Sequence, residues 1–174
     1  MTLNAQQVDR DLHLTVDGAD TFVVRPLPGR IGKQITDTYL DGAAGNGDPV
    51  AVEAALMIAV DGGVWDDETA RYVPRPDGDR PIYDRISDEL RLGEAESILL
   101  PAFFWQTVLG IAGVNAYIEG GEGIAGGVKA LWALVARLGL SPLRTSPSSA
   151  LENLIRLAST PTTTSPTGGA KSDA

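Results

Sequence analysis

A few groups of residues in this chain have types and spacings that could do chemistry. Gly121-Glu122-Gly123-Ile124-Ala125-Gly126 matches the glycine pattern that cradles a dinucleotide pyrophosphate. That chemistry needs a strand before the first glycine, so that backbone N–H groups and a helix N-terminus face the phosphates. Here the preceding residues carry a helical pattern, and Glu122 would repel a phosphate. An acidic residue about 20 positions further on, which would take the ribose, is also missing. The motif therefore reads as a turn between helices. His13 is the one histidine, and an unperturbed imidazole suits a general base. It falls on the outer face of a hairpin with only Asp11 and Thr15 beside it, so it reads as a surface side chain. Asp66-Asp67-Glu68 and Asp77-Gly78-Asp79 gather carboxylates but lack the alternating oxygen ligands and closing Glu of a calcium loop. Asp88 and Glu89 are helix neighbours that point in different directions, which rules out a paired-carboxylate mechanism. Cysteine is absent, which excludes disulfides, thiolate zinc sites and thiol nucleophiles. The expectation is a non-enzymatic protein with no catalytic, cofactor-binding or metal-binding residues and no cofactor.

The elements that would carry these residues begin with a β-hairpin. Leu12, Leu14 and Val16 alternate, Asp17-Gly18 signals a turn, and Thr21 to Arg25 returns. Pro26 and Pro28 then stop the strand. Ile31, Ile35 and Tyr39 lie four apart and predict a helix from Gly29 to Leu40. Asp48-Pro49 reads as the cap and first position of a second helix. That helix would bury Val52, Leu56, Ala59 and Val60 and stop at Asp61-Gly62-Gly63. Val64 to Pro81 is punctuated by prolines and reads as irregular or a short hairpin. Ile82, Ile86 and Leu90 predict a third helix closing near Gly93. Ser97 to Ile118 holds 22 residues without a charge and reads as one central core helix containing Phe103, Phe104 and Trp105. Its length would allow a membrane span, but Pro101, Gln106, Gly110, Gly113 and Asn115 interrupt it, and its flanks are acidic. A glycine-rich turn, 120–127, leads into a helix from Val128 to Leu138 with Leu131, Trp132, Val135 and Leu138 inward. Phe103, Phe104, Trp105 and Trp132, at helical spacing, read as core rather than as an exposed binding patch.

The organisation expected is thus mainly α with a small N-terminal β-hairpin, an α+β arrangement built as a compact helical domain plus a disordered C-terminal tail. Residues 1–10 are expected as a flexible N-terminus and 11–140 as a single globular domain, with the hairpin at 12–25. Residues 141–158 follow as a linker and a short amphipathic helix, opened by the capping box Ser149-Ala150-Leu151-Glu152. Residues 159–174 are Thr/Pro/Ser/Gly-rich and expected to stay disordered.

Across 174 residues the chain is 43% hydrophobic and 21% charged, which is ordinary globular usage. Its 23 acids against 14 bases leave a net charge of -9, which argues against a nucleic-acid partner. The charge is uneven: residues 1–96 hold 19 acids and 9 bases, whereas residues 97–174 hold 4 and 5. No basic start followed by an apolar stretch opens the chain, so no secretory signal is expected.

The order of elements resembles the tail assembly chaperones of long-tailed (siphovirus-type) actinobacteriophages. The residues that carry the resemblance are the hairpin Leu12–Arg25 running into Pro26-Leu27-Pro28 and a helix, and the apolar helix with Phe103-Phe104-Trp105. The glycine-rich turn, Lys129-Ala130-Leu131-Trp132 and the polar tail complete it. An Arg-over-Lys bias, 11 to 3, fits a GC-rich source of that kind. The stretch from Trp65 to Pro81 is additional to the family layout. The resemblance implies a non-enzymatic helper that binds the tape measure protein in the host cytoplasm while the tail tube polymerises, and that is not expected in the mature virion. It also implies, as further partners, a frameshift-extended form of the same protein and the tail tube protein, with no nucleic acid and no membrane. A tail-tube or head–tail connector component, or a small membrane-associated protein using 97–118, are the alternative readings.

Overall fold

The computed structural model describes residues 2–17 and 20–140. The linker and short helix expected at 141–158, the capping box at Ser149 and the tail at 159–174 lie outside the described residues. The fold class is as expected: mainly helical, with a small antiparallel sheet at the N-terminal end.

The sheet has three strands rather than two. Residues 1–10, expected to be flexible, instead contain β1 (Leu3–Val8), which pairs antiparallel with β2 (Asp11–Val16), Leu3 opposite Val16 and Val8 opposite Asp11. β2 in turn pairs with β3 (Phe22–Val24). The correction has a plain cause. Asn4, Gln6 and Gln7 give β1 no apolar alternation, because an edge strand that buries only Leu3 needs none. Its tight turn is made by Asp9 at a φ of 54°, a conformation that Asp tolerates better than most residues. Leu12, Leu14 and Val16 on β2, with Phe22 and Val24 on β3, point inward together, and His13 and Thr15 take the opposite face.

Helix α1 (Gly29–Ala43) buries Ile31, Ile35 and Tyr39 as the spacing requires. α2 (Pro49–Asp61) starts where expected, with the Asp48 carboxylate accepting the Val50 N–H at 3.0 Å. Leu56, however, is only half-buried, and Ala55 and Ile58 go inward with Val52, Ala59 and Val60. The proline-punctuated stretch holds a two-stranded hairpin, β4 (Gly63–Asp66) with β5 (Arg71–Pro74). α3 (Pro81–Glu89) ends before Gly93, which instead lies in the first turn of α4 (Leu92–Gln106).

The apolar run 97–118 is not one helix. α4 stops at Gln106, and α5 (Ile111–Glu119) begins after a break at 107–110. Thr107 turns its hydroxyl onto the Phe104 carbonyl at 2.6 Å, and Gly110 adopts a φ of 55° that other side chains resist. The break folds α5 back against α4 and buries Val114 and Tyr117 within the protein, while Val108 in the break stays exposed. Among the described residues no helix is long and apolar enough to cross a membrane.

α4 is the centre of the molecule, packed against α2, α3, α5, α6 (Gly123–Arg137) and β2. Such a helix is apolar on more than one side, hence its adjacent buried residues Ala102, Phe103, Phe104 and Trp105. Tyr39 of α1 stacks on Phe103 with ring centroids 4.3 Å apart and meets Phe104 edge-on at 5.9 Å. On α6 the inward residues are Ala130, Leu131 and Leu134. Trp132 and Val135 are half-buried and Leu138 is exposed, so the expected inward face is rotated by about a third of a turn.

Candidate interaction surface

The residues with chemical potential are separated by the fold. His13 stands on β2 opposite Gln6 and Val23, with its side chain on the outer face of the sheet. A helix precedes the glycine motif as the sequence indicates, but only Gly121 and Glu122 of the motif lie in the turn between α5 and α6. Gly123 to Gly126 form the first turn of α6, which starts five residues before the expected Val128 because its glycines let it run close beside Tyr117. The motif's groups already have intramolecular partners. Glu122, at a φ of 59°, accepts the Leu3 N–H at 3.1 Å, and the Gly123 N–H donates to the Tyr117 hydroxyl at 2.9 Å. Gly126 faces the Tyr117 carbonyl so closely that a Cβ there would lie 2.4 Å from its oxygen. The motif is a packing device between two helices.

The acidic clusters also serve local structure. Asp66 accepts the Glu68 and Thr69 N–H groups and the Thr69 hydroxyl, and these bonds, the hydroxyl's above all, hold its carboxyl below the usual range. Asp77 pairs with Arg80, and Glu89 with Arg85 at 3.2 Å. Among the described residues no group of three or more His, Asp or Glu is placed to hold a metal ion. Phe103, Phe104 and Trp105 are core.

A feature that the sequence reading passed over emerges in the β4–β5 hairpin. Trp65 is 51% exposed, and Val64 beside it is exposed too. The indole is nevertheless fixed: its Nε1 donates to Asp67 Oδ1 at 2.9 Å, and its ring meets Tyr72 edge-on at 5.1 Å. The strand beneath is anchored just as firmly. Gln34 of α1 uses its side-chain amide to accept the Tyr72 N–H at 2.9 Å and to donate to the Tyr72 carbonyl at 2.8 Å. It thereby occupies one edge of the hairpin as a neighbouring strand would. Arg71 donates to Thr38 on the same helix. An aromatic held rigid at the surface, on a support tied to the main domain, loses little freedom when a partner covers it. Acidic Asp66, Asp67 and Glu68 rim it. The signal in the sequence was a tryptophan alternating with glycine and acids in a proline-bounded hairpin. Exposure itself is not written in such a pattern. The chain matches no protein-family profile, no curated protein and no solved structure.

Proposed function

We propose that this protein is a non-enzymatic tail assembly chaperone of a long-tailed actinobacteriophage, acting in the host cytoplasm on the tape measure protein and left out of the mature virion. The observation that carries the reading toward protein binding is Trp65, an exposed tryptophan pinned between Asp67 and Tyr72. Tryptophan is enriched at the centres of protein interfaces, where one rigid side chain supplies much of the binding energy. The client identity rests on the layout of hairpin, apolar helix and glycine-rich turn described above. An acidic chaperone keeps a long apolar helical client in solution, and binding by surface aromatics needs no catalytic group.

Co-expression with the tape measure protein tests this. The client should gain solubility and co-purify with the chain, and Trp65→Ser should weaken the capture about tenfold or more, as for an interface anchor. The chain should stay folded, with a melting temperature lowered only by the loss of the Asp67 and Tyr72 contacts. Absence of co-purification overturns the proposal. Mass spectrometry of purified phage particles addresses the alternative, because a tail-tube or connector component would be abundant there.

A further inference from the structure

The outer edge of a sheet exposes main-chain N–H and C=O groups that pair with another strand unless something covers them. Among the described residues, three of the four outer edges are met by a side chain from another element. Glu122 takes the Leu3 N–H of β1. Gln106 takes the Arg25 carbonyl and the Leu27 N–H just beyond β3. Gln34 takes the N–H and the carbonyl of Tyr72 on β5. The edge of β4 is the exception. Tyr72 gives both of its main-chain groups to Gln34, so Trp65 opposite it sits in a non-hydrogen-bonded pair. The Trp65 N–H and C=O therefore point away from β5, and among the described residues no group bonds to them. Helix α2 packs on β5, which leaves β4 outermost. β4 has no Lys, Arg or Pro to discourage pairing, and Val64 and Trp65 stand exposed on its two faces.

Charge selects the occupant. Asp66, Asp67 and Glu68 end β4 and open the turn after it. The two arginines of this segment belong to β5 and the residue after it, and they are turned to the helices. Arg71 donates to Thr38 of α1, and Arg75 to the Asp61 carbonyl at the end of α2. A second copy of the chain would bring three more acids to the same line, and each copy carries a net charge of -9. A basic segment meets attraction instead. We propose that the open edge of β4 receives an extended, lysine- or arginine-bearing segment of a protein partner as an added strand, paired to the main chain of Trp65. Side chains of that strand then lie alternately on the Trp65 face and on the Val64 face. This pairing rests on Trp65 being a client contact, as proposed above, and adds the mode of binding and the chemistry of the bound segment.

The test uses the full chain, isotope-labelled for magnetic resonance, and as probe a short end-blocked peptide of alternating lysine and valine. Saturating peptide should slow hydrogen exchange of the Trp65 N–H about tenfold or more, as for an amide that gains a partner. The same peptide methylated on its main-chain nitrogens keeps the charge but cannot lie in a ladder, and should give no protection. Absence of protection by the first peptide overturns the proposal. Equal protection by the methylated peptide, or by one of alternating glutamate and valine, overturns it too. Protection that appears without peptide and grows with protein concentration would assign the edge to a second copy and overturn it as well. Capture of the tape measure protein separates the two readings of Trp65. Capture absent with peptide protection present counts against that client and supports the added strand. Trp65-dependent capture without peptide protection overturns the added strand alone.

Discussion

Gln106 and Leu27 are 79 positions apart, and the side-chain oxygen of the first accepts the main-chain N–H of the second at 2.9 Å. The same amide donates to the Arg25 carbonyl at 2.8 Å and to the Ala59 carbonyl at 3.0 Å. One side chain at the end of α4 thus ties down the proline segment after β3 and the last turn of α2. Its own carbonyl lies against α1, where a Cβ at Gly32 would come within 2.8 Å of it.

Gln106→Leu keeps the volume and removes all three bonds, leaving partly buried backbone groups without partners. The expected loss is about 3 kcal/mol, measured by urea unfolding, since each such group costs about 1–3 kcal/mol and these are partly reached by water. Gln106→Glu should also destabilise, because a carboxylate keeps the acceptor for Leu27 but faces two carbonyls.

The neighbouring glycines of α6 should respond with opposite signs. At Gly126 an added methyl meets the Tyr117 carbonyl, so Gly126→Ala must push α5 from α6 and should cost about 1–3 kcal/mol. At Gly127 the nearest atom is a Leu100 methyl at 3.5 Å, an ordinary contact. Gly127→Ala should therefore stabilise by up to about 1 kcal/mol through helix propensity. Thermal melts of the two variants give the comparison.

Helix α3 has no capping side chain of its own, and Asp61, the last residue of α2, takes the role. Its carboxylate accepts the Ile82 N–H at 3.0 Å and the Tyr83 N–H at 2.7 Å. Asp61→Ala should cost about 1–2 kcal/mol, the worth of a strong cap, and Asp61→Asn should recover part of it. Chemical denaturation of the three proteins measures the difference.

Glu96 is half-buried, and burial raises its carboxyl above the usual range. A folded-state value above the unfolded one means that the folded protein holds this proton more tightly. The resulting stability is fully present below the ordinary carboxylate value and is lost as pH rises through the raised one. Glu96→Gln should therefore melt higher than the parent at pH 7, with the gap narrowing as the pH falls through the raised value and closed below the ordinary carboxylate value. A gap that is constant with pH would show that the effect is not one of ionisation.

Elements whose signals are local were legible from the residues alone. The hairpin around Leu12–Val24 follows from two-residue alternation. The start of α2 follows from Asp48-Pro49, where the cap and the N–H it satisfies are two positions apart. The line Ile31, Ile35, Tyr39 fixes the inward face of α1 whatever it packs against. The helix before the glycine motif was legible because its pattern lies within the same short stretch, whereas the turn itself is shorter than the glycines suggest, since Gly123 to Gly126 already belong to α6. Tertiary structure decided the rest, and the reason is distance along the chain. β1 is held by pairing and by a bond from Leu3 to a carboxylate 119 positions away, so its polar residues carry no sign of it. The break at 107–110 separates two stretches that are equally apolar, and only packing of α5 back on α4 makes two short helices better than one long one. The inward face of α6 turned on Gly126, which permits a backbone approach that no periodicity records. Trp65 is the same lesson at the candidate site. A tryptophan in a short hairpin faces core or solvent according to where the hairpin docks, and that was settled by Gln34, which grips the backbone of Tyr72 from another helix.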